Sequence, residues 1–159
     1  LIESYANSNL PQKKIHLVIL GIGEEQDKLE KKILDLKIET KVHLLGFKEN
    51  VWDYISNAKF SVLSSQYEGF PMTILESLSL GIPVISFDCE SGPNEMIINN
   101  HNGILVENQN FTELTHKMNI FVKDEILYQN CKNNSVSSVA KFQSEVVVNQ
   151  WLQMLNYGN

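Results

Sequence analysis

Apolar and polar positions fall into alternating blocks along the chain. Residues 14–23 (KIHLVILGIG) form an unbroken apolar run of strand length that closes on two glycines, the pattern of a strand buried on both faces of a parallel sheet. The next block, EEQDKLEKKILDLKI, places Leu29, Ile33 and Leu36 at helical spacing among charges, which predicts a helix with one buried stripe. KVHLLGF reads as a second strand, NVWDYISNA as a short helix with Trp52 and Ile55 turned inward, and KFSVLSS as a third strand. A further helix is expected from about Met72 to Leu80, stopping at Gly81, after which Pro83 hands the chain to a fourth strand, VISFD. SGPNEMIIN suits a short helix with Pro93 near its first turn, and NGILVE a fifth strand. Beyond residue 110, FTELTHKMNIFV and FQSEVVVNQWLQMLN carry helical patterns separated by a polar stretch.

Strands alternating with helices at this spacing predict right-handed βαβ units and an α/β fold: an open parallel sheet with helices on both faces. Ligands of such sheets sit at the carboxyl ends of the strands, where loops and helix N-termini face one crevice. Three turns rich in glycine and proline, at residues 21–23, 69–71 and 91–93, fall on that edge.

Composition narrows the chemistry. With 159 residues, 43% hydrophobic and 20% charged, the chain fits one globular, soluble domain. A formal charge of -6 argues against a general electrostatic grip on nucleic acid or anionic lipid. All 13 cationic side chains are lysines, so a phosphate ligand would find no bidentate guanidinium and must rely on backbone amides, helix N-termini or lysine point charges. Cys89 and Cys131 are too few and too far apart for a disulfide framework or a zinc site, which points to a reducing cytoplasm. No apolar run reaches membrane-spanning length, and the first residues do not read as a signal peptide. The opening LIESYANSNLP reads as helix without a start signal, the expectation for a fragment whose N-terminal part is missing.

Two turns carry candidate chemistry. GIGEEQ follows the first strand, and there Gly21 and Gly23 would let a ligand approach the main chain, although Gln26 stands where a dinucleotide fingerprint needs its third glycine. In EGFPMTILE, Thr73 and Glu76 match a capping box. Alternatively, Pro71 takes the first helical position and Glu76 lies a turn inside. Either geometry aims the amides of Phe70, Met72 and Thr73 at the crevice, where they and the helix dipole can hold an anion. Glu68 has no capping task. Two carboxylates flanking amide donors suit a nucleotide-sugar, with acceptors for ribose and hexose hydroxyls on either side of a diphosphate.

The Glu68 to Glu76 spacing of seven intervening residues, followed by SLSLGIPVIS, resembles the signature of retaining glycosyltransferases of the GT-B fold, especially glycosyltransferase family 4. FDCESGPNEMI and NGILVE are similar to two further motifs of that family, and LVILGIGEEQDKLE with the terminal F…W helix falls in its order, so the likeness covers nearly the whole chain. The resemblance implies a single Rossmann-like domain over residues 1–159, the C-terminal, donor-binding half of a GT-B enzyme. It implies that Glu68 contacts the donor sugar near the reacting centre, as the catalytic residue, and that Glu76 accepts from the ribose. It places the amides of Gly69, Phe70, Met72 and Thr73 on sugar hydroxyls and diphosphate, and Gly46, Phe47 and Lys48 beside the nucleobase. The implied partners are a UDP- or GDP-sugar donor and an acceptor sugar or lipid-linked glycan held by an N-terminal domain, with no nucleic acid, no metal and no cofactor. The setting it implies is cell-surface glycan synthesis in the cytoplasm, with a peripheral place on the inner face of the membrane.

Two departures stand out. The family's phosphate-binding Arg and Lys precede the residues in hand, and Glu90 and Asn94 replace residues that are commonly Pro and basic or small. A GT-B sugar-nucleotide epimerase and a non-catalytic flavodoxin-like interaction module share the strand pattern. The first would need a histidine-and-carboxylate set that is not recognisable here, and the second has no use for Glu68. His16 and His43 read as hydrogen-bonded structural residues, His101 and His116 as surface residues, and Phe142 and Trp151 as packing residues of the tail.

Overall fold

The computed structural model describes residues 1–156. Helix α1 (Ile2–Ala6) leads to β1 (Leu17–Ile19), followed by α2 (Gln26–Asp35), β2 (Val42–Leu44), α3 (Val51–Ser56) and β3 (Ser61–Leu63). Then come α4 (Met72–Ser79), β4 (Val84–Asp88), α5 (Pro93–Met96) and β5 (Gly103–Glu107). The tail holds α6 (Phe111–Lys123), α7 (Glu125–Ser138), a 3-10 turn (Ala140–Phe142) and α8 (Ser144–Asn156). All strand pairs are parallel, as the alternation predicts.

Side-chain alternation along the strands explains the layers. In β4, Ile85 and Phe87 enter a core shared with Ile104 and Val106 of β5, Leu114, Met118 and Phe121 of α6, and Ile2 and Tyr5 of α1. Val84 turns the other way, into a smaller core with Ile74 and Leu78 of α4 and with Met96 and Ile97. Successive residues of a strand face opposite sides, so one five-residue strand supplies both cores and helices must cover both faces. Full burial of each large side chain contributes roughly 1.5–3 kcal/mol, which makes β4 the central element of the fold.

The sheet is interrupted. Among the described residues β1 pairs only with β2, and β3, β4 and β5 form a separate ladder. The strand expected over residues 14–23 is correspondingly confined to Leu17–Ile19, and Val18 is 43% exposed, where burial on both faces was expected. The physical reason is that β1 has a ladder partner on one edge alone. Trp52, expected inward on α3, is exposed, while Ile55 is half-buried.

Helix α4 ends as its glycine predicts. Gly81 adopts a φ of +74°, its amide donates to the Leu78 carbonyl, and the Ile82 amide donates to that of Ser77 at 2.9 Å. This is a Schellman closure, which needs a left-handed residue and so favours glycine.

Candidate functional site

The helix that carries both glutamate-linked turns does not begin with a capping box. Its N-cap is Pro71 in an extended conformation, no side chain caps it, and the Pro71 carbonyl accepts from the Ile74 amide at 2.9 Å. Pro71 is therefore also not the first helical residue, which is Met72. Two consequences follow for the chemistry. The Glu76 carboxylate, a turn inside the helix, has no hydrogen-bond or ion-pair partner among the described residues, so the structural task assigned to it by the capping box does not exist. The amides of Met72 and Thr73 likewise find no acceptor among the described residues, as expected of donors in the first turn of a helix.

The turn itself is held from behind. Ser91 Oγ donates to the Glu68 carbonyl at 2.7 Å. Gly92, with φ at +93°, lies so close that a Cβ there would sit 2.5 Å from Pro71 Cδ and 3.0 Å from the Gly69 carbonyl oxygen. Phe70 meets Phe142 edge to face at 5.7 Å between centroids, and Lys141 Nζ donates to the Glu95 carbonyl at 2.9 Å. The loop after β4 and the 3-10 turn thus fix residues 68–71. Phe142 is a packing residue, as the sequence suggests; Ser91 and Gly92 were not singled out there as a clamp, and the Ser-Gly-Pro run was the available signal.

The same edge of the fold gathers the other turns. The Gly21 amide donates to the Gly46 carbonyl at 2.8 Å, joining the loops after β1 and β2. A cavity of about 1000 Å³ is lined by Gly21, Phe47, Lys48, Thr73 and Glu76 at this end. A smaller one, of about 220 Å³, is lined by Gly21, Gly23 and Gly46. Glu68, Gly69, Phe70 and Met72 line neither cavity and sit on the adjoining turn, with Glu68 half-buried and the other three fully or half exposed. The structure thus brings Glu76, Thr73, Lys48, Phe47 and Gly21 around one space, and sets Glu68 beside it.

Other candidates resolve differently. His16 Nδ1 and His43 Nε2 are 2.7 Å apart with stacked rings, a mutual hydrogen bond between the residue just before β1 and the middle of β2 that fits the structural role expected of them. His101 and His116 are exposed. Both cysteines are buried and free, and burial pushes the Cys131 thiol up to about 11. Among the described residues no three His, Cys, Asp or Glu side chains converge as metal ligands, and no helix is long and apolar enough to cross a membrane.

Comparison with known proteins identifies the fold and the family. A poly(ribitol-phosphate) alpha-N-acetylglucosaminyltransferase of Staphylococcus aureus is 30% identical over 139 residues, which cover 87% of this chain and 28% of that protein. An N-acetylgalactosaminyltransferase of Campylobacter jejuni acting on a diphospho-undecaprenol-linked sugar is 32% identical over 155 residues, covering 98% of this chain and 42% of its own length. The chain thus spans well under half of these relatives. The crystal structure of S. aureus TarM with fondaparinux, alpha-GlcNAc-glycerol and UDP superposes with a TM-score of 0.85 at 29% identity, over 98% of this chain and 32% of that one. The architecture is that of GT-B glycosyltransferases. Residues 1–137 match the family described as Glycosyl transferases group 1, and the chain belongs to that family.

Proposed function

We propose that this chain is the donor-binding domain of a retaining glycosyltransferase of family 4 type, which moves a hexose-type sugar from a nucleotide diphosphate to an acceptor sugar or lipid-linked glycan held by an N-terminal domain. The observation that carries this reading is the unpartnered Glu76 carboxylate on a cavity rim beside the bare amides of Met72 and Thr73. A carboxylate next to amide donors suits a ligand that offers hydroxyls and an anion together, as a ribose diphosphate does. UDP is favoured over GDP because the TarM complex holds UDP.

In this assignment Glu76 accepts from the ribose hydroxyls. The amides of Gly69, Phe70, Met72 and Thr73 hold the diphosphate and sugar hydroxyls. Gly21, Gly23, Gly46, Phe47 and Lys48 border the nucleobase, and Glu68 positions the sugar. The bond between the anomeric carbon and the diphosphate oxygen breaks, the acceptor oxygen bonds to the same face of that carbon, and the acceptor proton leaves with the diphosphate. Charge develops on the leaving group, so oriented amides at the helix start are where stabilisation is needed. Homologues named for sugar transfer to poly(ribitol-phosphate) and to a diphospho-undecaprenol-linked sugar support a cell-surface glycan as the product's destination and a place at the inner face of the membrane.

Calorimetric titration of the longer protein with UDP, GDP and their sugars tests this. Binding of one nucleotide, weakened at least tenfold by Glu76→Ala, is the expected result. Indifference to every nucleotide, or a Glu76→Ala protein that binds as the wild type does, overturns it.

A further inference from the structure

Residues 64–67, the run that leads from β3 to Glu68, make one hydrogen bond to another element among the described residues. Asn108 Nδ2, in the turn after β5, donates it to the Gln66 carbonyl at 3.1 Å. The next anchor is the bond from Ser91 to the Glu68 carbonyl, and the contacts of Gly92 and Phe142 begin only beyond it, at Gly69 and Phe70. Glu68 is thus packed in place on its C-terminal side, while Asn108 alone fastens its N-terminal side.

That one bond spans the sheet. β4 lies between β3 and β5, so at the usual ~4.8 Å strand spacing the ends of β3 and β5 stand about 10 Å apart. For Asn108 to reach Gln66, the run after β3 must lean across the end of β4 toward β5. The lean brings Glu68 to Ser91, in the loop after β4, and accounts for its place beside the cavity instead of in its lining.

The donor stands on a rigid base. The Asn110 amide donates to the Glu107 carbonyl at 3.0 Å, Asn110 Nδ2 donates to Glu107 Oε2 at 2.8 Å, and the Glu107 amide donates to Glu113 Oε2 at 3.1 Å. With Asn110 also capping α6 and Phe111 meeting Phe87 edge to face at 5.2 Å, the turn is locked to a long helix and to the core. Gln109 reverses the chain there with a φ of +61°. Asn108 takes no part in this capping network, and its own side chain is exposed.

We propose that Asn108 is a positioning residue for Glu68, holding through its carboxamide N–H the run from which that carboxylate meets the donor sugar. The proposal rests on the assignment of Glu68 to the sugar. Glu76 and the first turn of α4 follow the Pro71 packing, which Asn108 does not touch, so the nucleotide contacts are independent of it and the sugar contact is not.

Two variants separate this role from a merely structural one. Asn108→Asp keeps the shape but turns an acceptor toward the Gln66 carbonyl, and Asn108→Ala removes the donor outright. In crystal structures both should shift Glu68 relative to Glu76 by about 1 Å or more, a displacement that can cost about 100-fold in rate. With UDP-glucose, UDP-galactose, UDP-N-acetylglucosamine or UDP-N-acetylgalactosamine, whichever the wild type turns over, kcat for UDP release should fall roughly tenfold to 100-fold while KM stays within about threefold. The calorimetric affinity for UDP and the urea midpoint should stay close to those of the wild type. Glu68 unmoved in the variants overturns the proposal, as does wild-type kcat in a variant whose Glu68 has moved, or a loss of kcat no greater than the loss of folded protein. If the wild type binds or turns over none of these nucleotides, the assignment of Glu68 to a sugar falls, and the crystallographic position of Glu68 still decides whether Asn108 places it.

Discussion

Gly92 is the residue on which the geometry of the candidate site turns. Its φ of +93° is one that side chains rarely adopt, and a methyl group there would meet Pro71 Cδ at 2.5 Å. Strain of this kind costs about 1–3 kcal/mol where the surroundings permit no relaxation. Gly92→Ala should lower stability by that amount in urea unfolding and move the Gly69–Pro71 turn, so nucleotide binding should weaken as well; a variant with wild-type midpoint and affinity would show that the clamp is slack. Cys131 makes a different prediction. Its thiol is buried and raised from 9.0 to about 11, so the folded state holds its proton at pH values where the unfolded chain has released it. That contribution is complete below pH 9 and is lost as pH rises toward 11, because there the unfolded state binds fewer protons and stability must fall with pH. The slope approaches about 1.4 kcal/mol per pH unit. Comparing unfolding free energies of wild type and Cys131→Ala from pH 8 to 11 should show the decline flattened in the variant.

At the level of elements, the start of α4 separates what the sequence states from what the fold imposes. Thr73 and Glu76 have the spacing of a capping box, but the helix is capped by no side chain, whereas Asn110 Oδ1 accepts from the Glu113 amide and Asp124 Oδ1 from the Leu127 amide, each at 2.9 Å. Asn110→Ala should therefore cost about 1 kcal/mol of stability, and Thr73→Ala, at an exposed position, less than about 0.5 kcal/mol. A full capping loss at Thr73 in thermal or urea unfolding would restore the capping box. The C-terminal end of the same helix was legible because its signal is local: a glycine followed by a residue whose amide reaches back one turn. The start at Met72 was legible as well, but its capping was not, because the extended conformation of Pro71 goes with packing against Gly92, twenty-one positions away, and no local pattern encodes that contact. β1 was misjudged in the same way. Its apolar run records the burial appropriate to a strand with neighbours on both edges, and among the described residues it pairs with β2 alone.

For the whole molecule, the interrupted sheet implies unequal stability. The β1–β2 pair is joined to the rest through one helix layer, where Tyr5 Oη donates to the Ile15 carbonyl at 2.7 Å and lies 3.3 Å from that of Lys41, and through the apolar contacts of Leu17, Ile19 and Val42 with the larger core. The β3–β4–β5 ladder is covered on both faces. Segments with fewer buried contacts open at lower free energy than the global transition. The amides of Ile19 and Leu45 should accordingly exchange at least tenfold faster than those of Ile85 and Ile104, and Tyr5→Phe should widen the difference by removing the hydroxyl that ties α1 to the segments leading into both strands. Uniform exchange across the two ladders would mean that they unfold as one unit. The crevice lies at the mouth of this junction, with Gly21 on the looser side and Thr73 and Glu76 on the firmer one. If a nucleotide bridges the two sides, it must order the looser half as it binds, so saturating UDP should slow exchange of the Ile19 and Leu45 amides at least tenfold. Unchanged exchange of those amides would show that the nucleotide contacts lie wholly on the β3–β5 side.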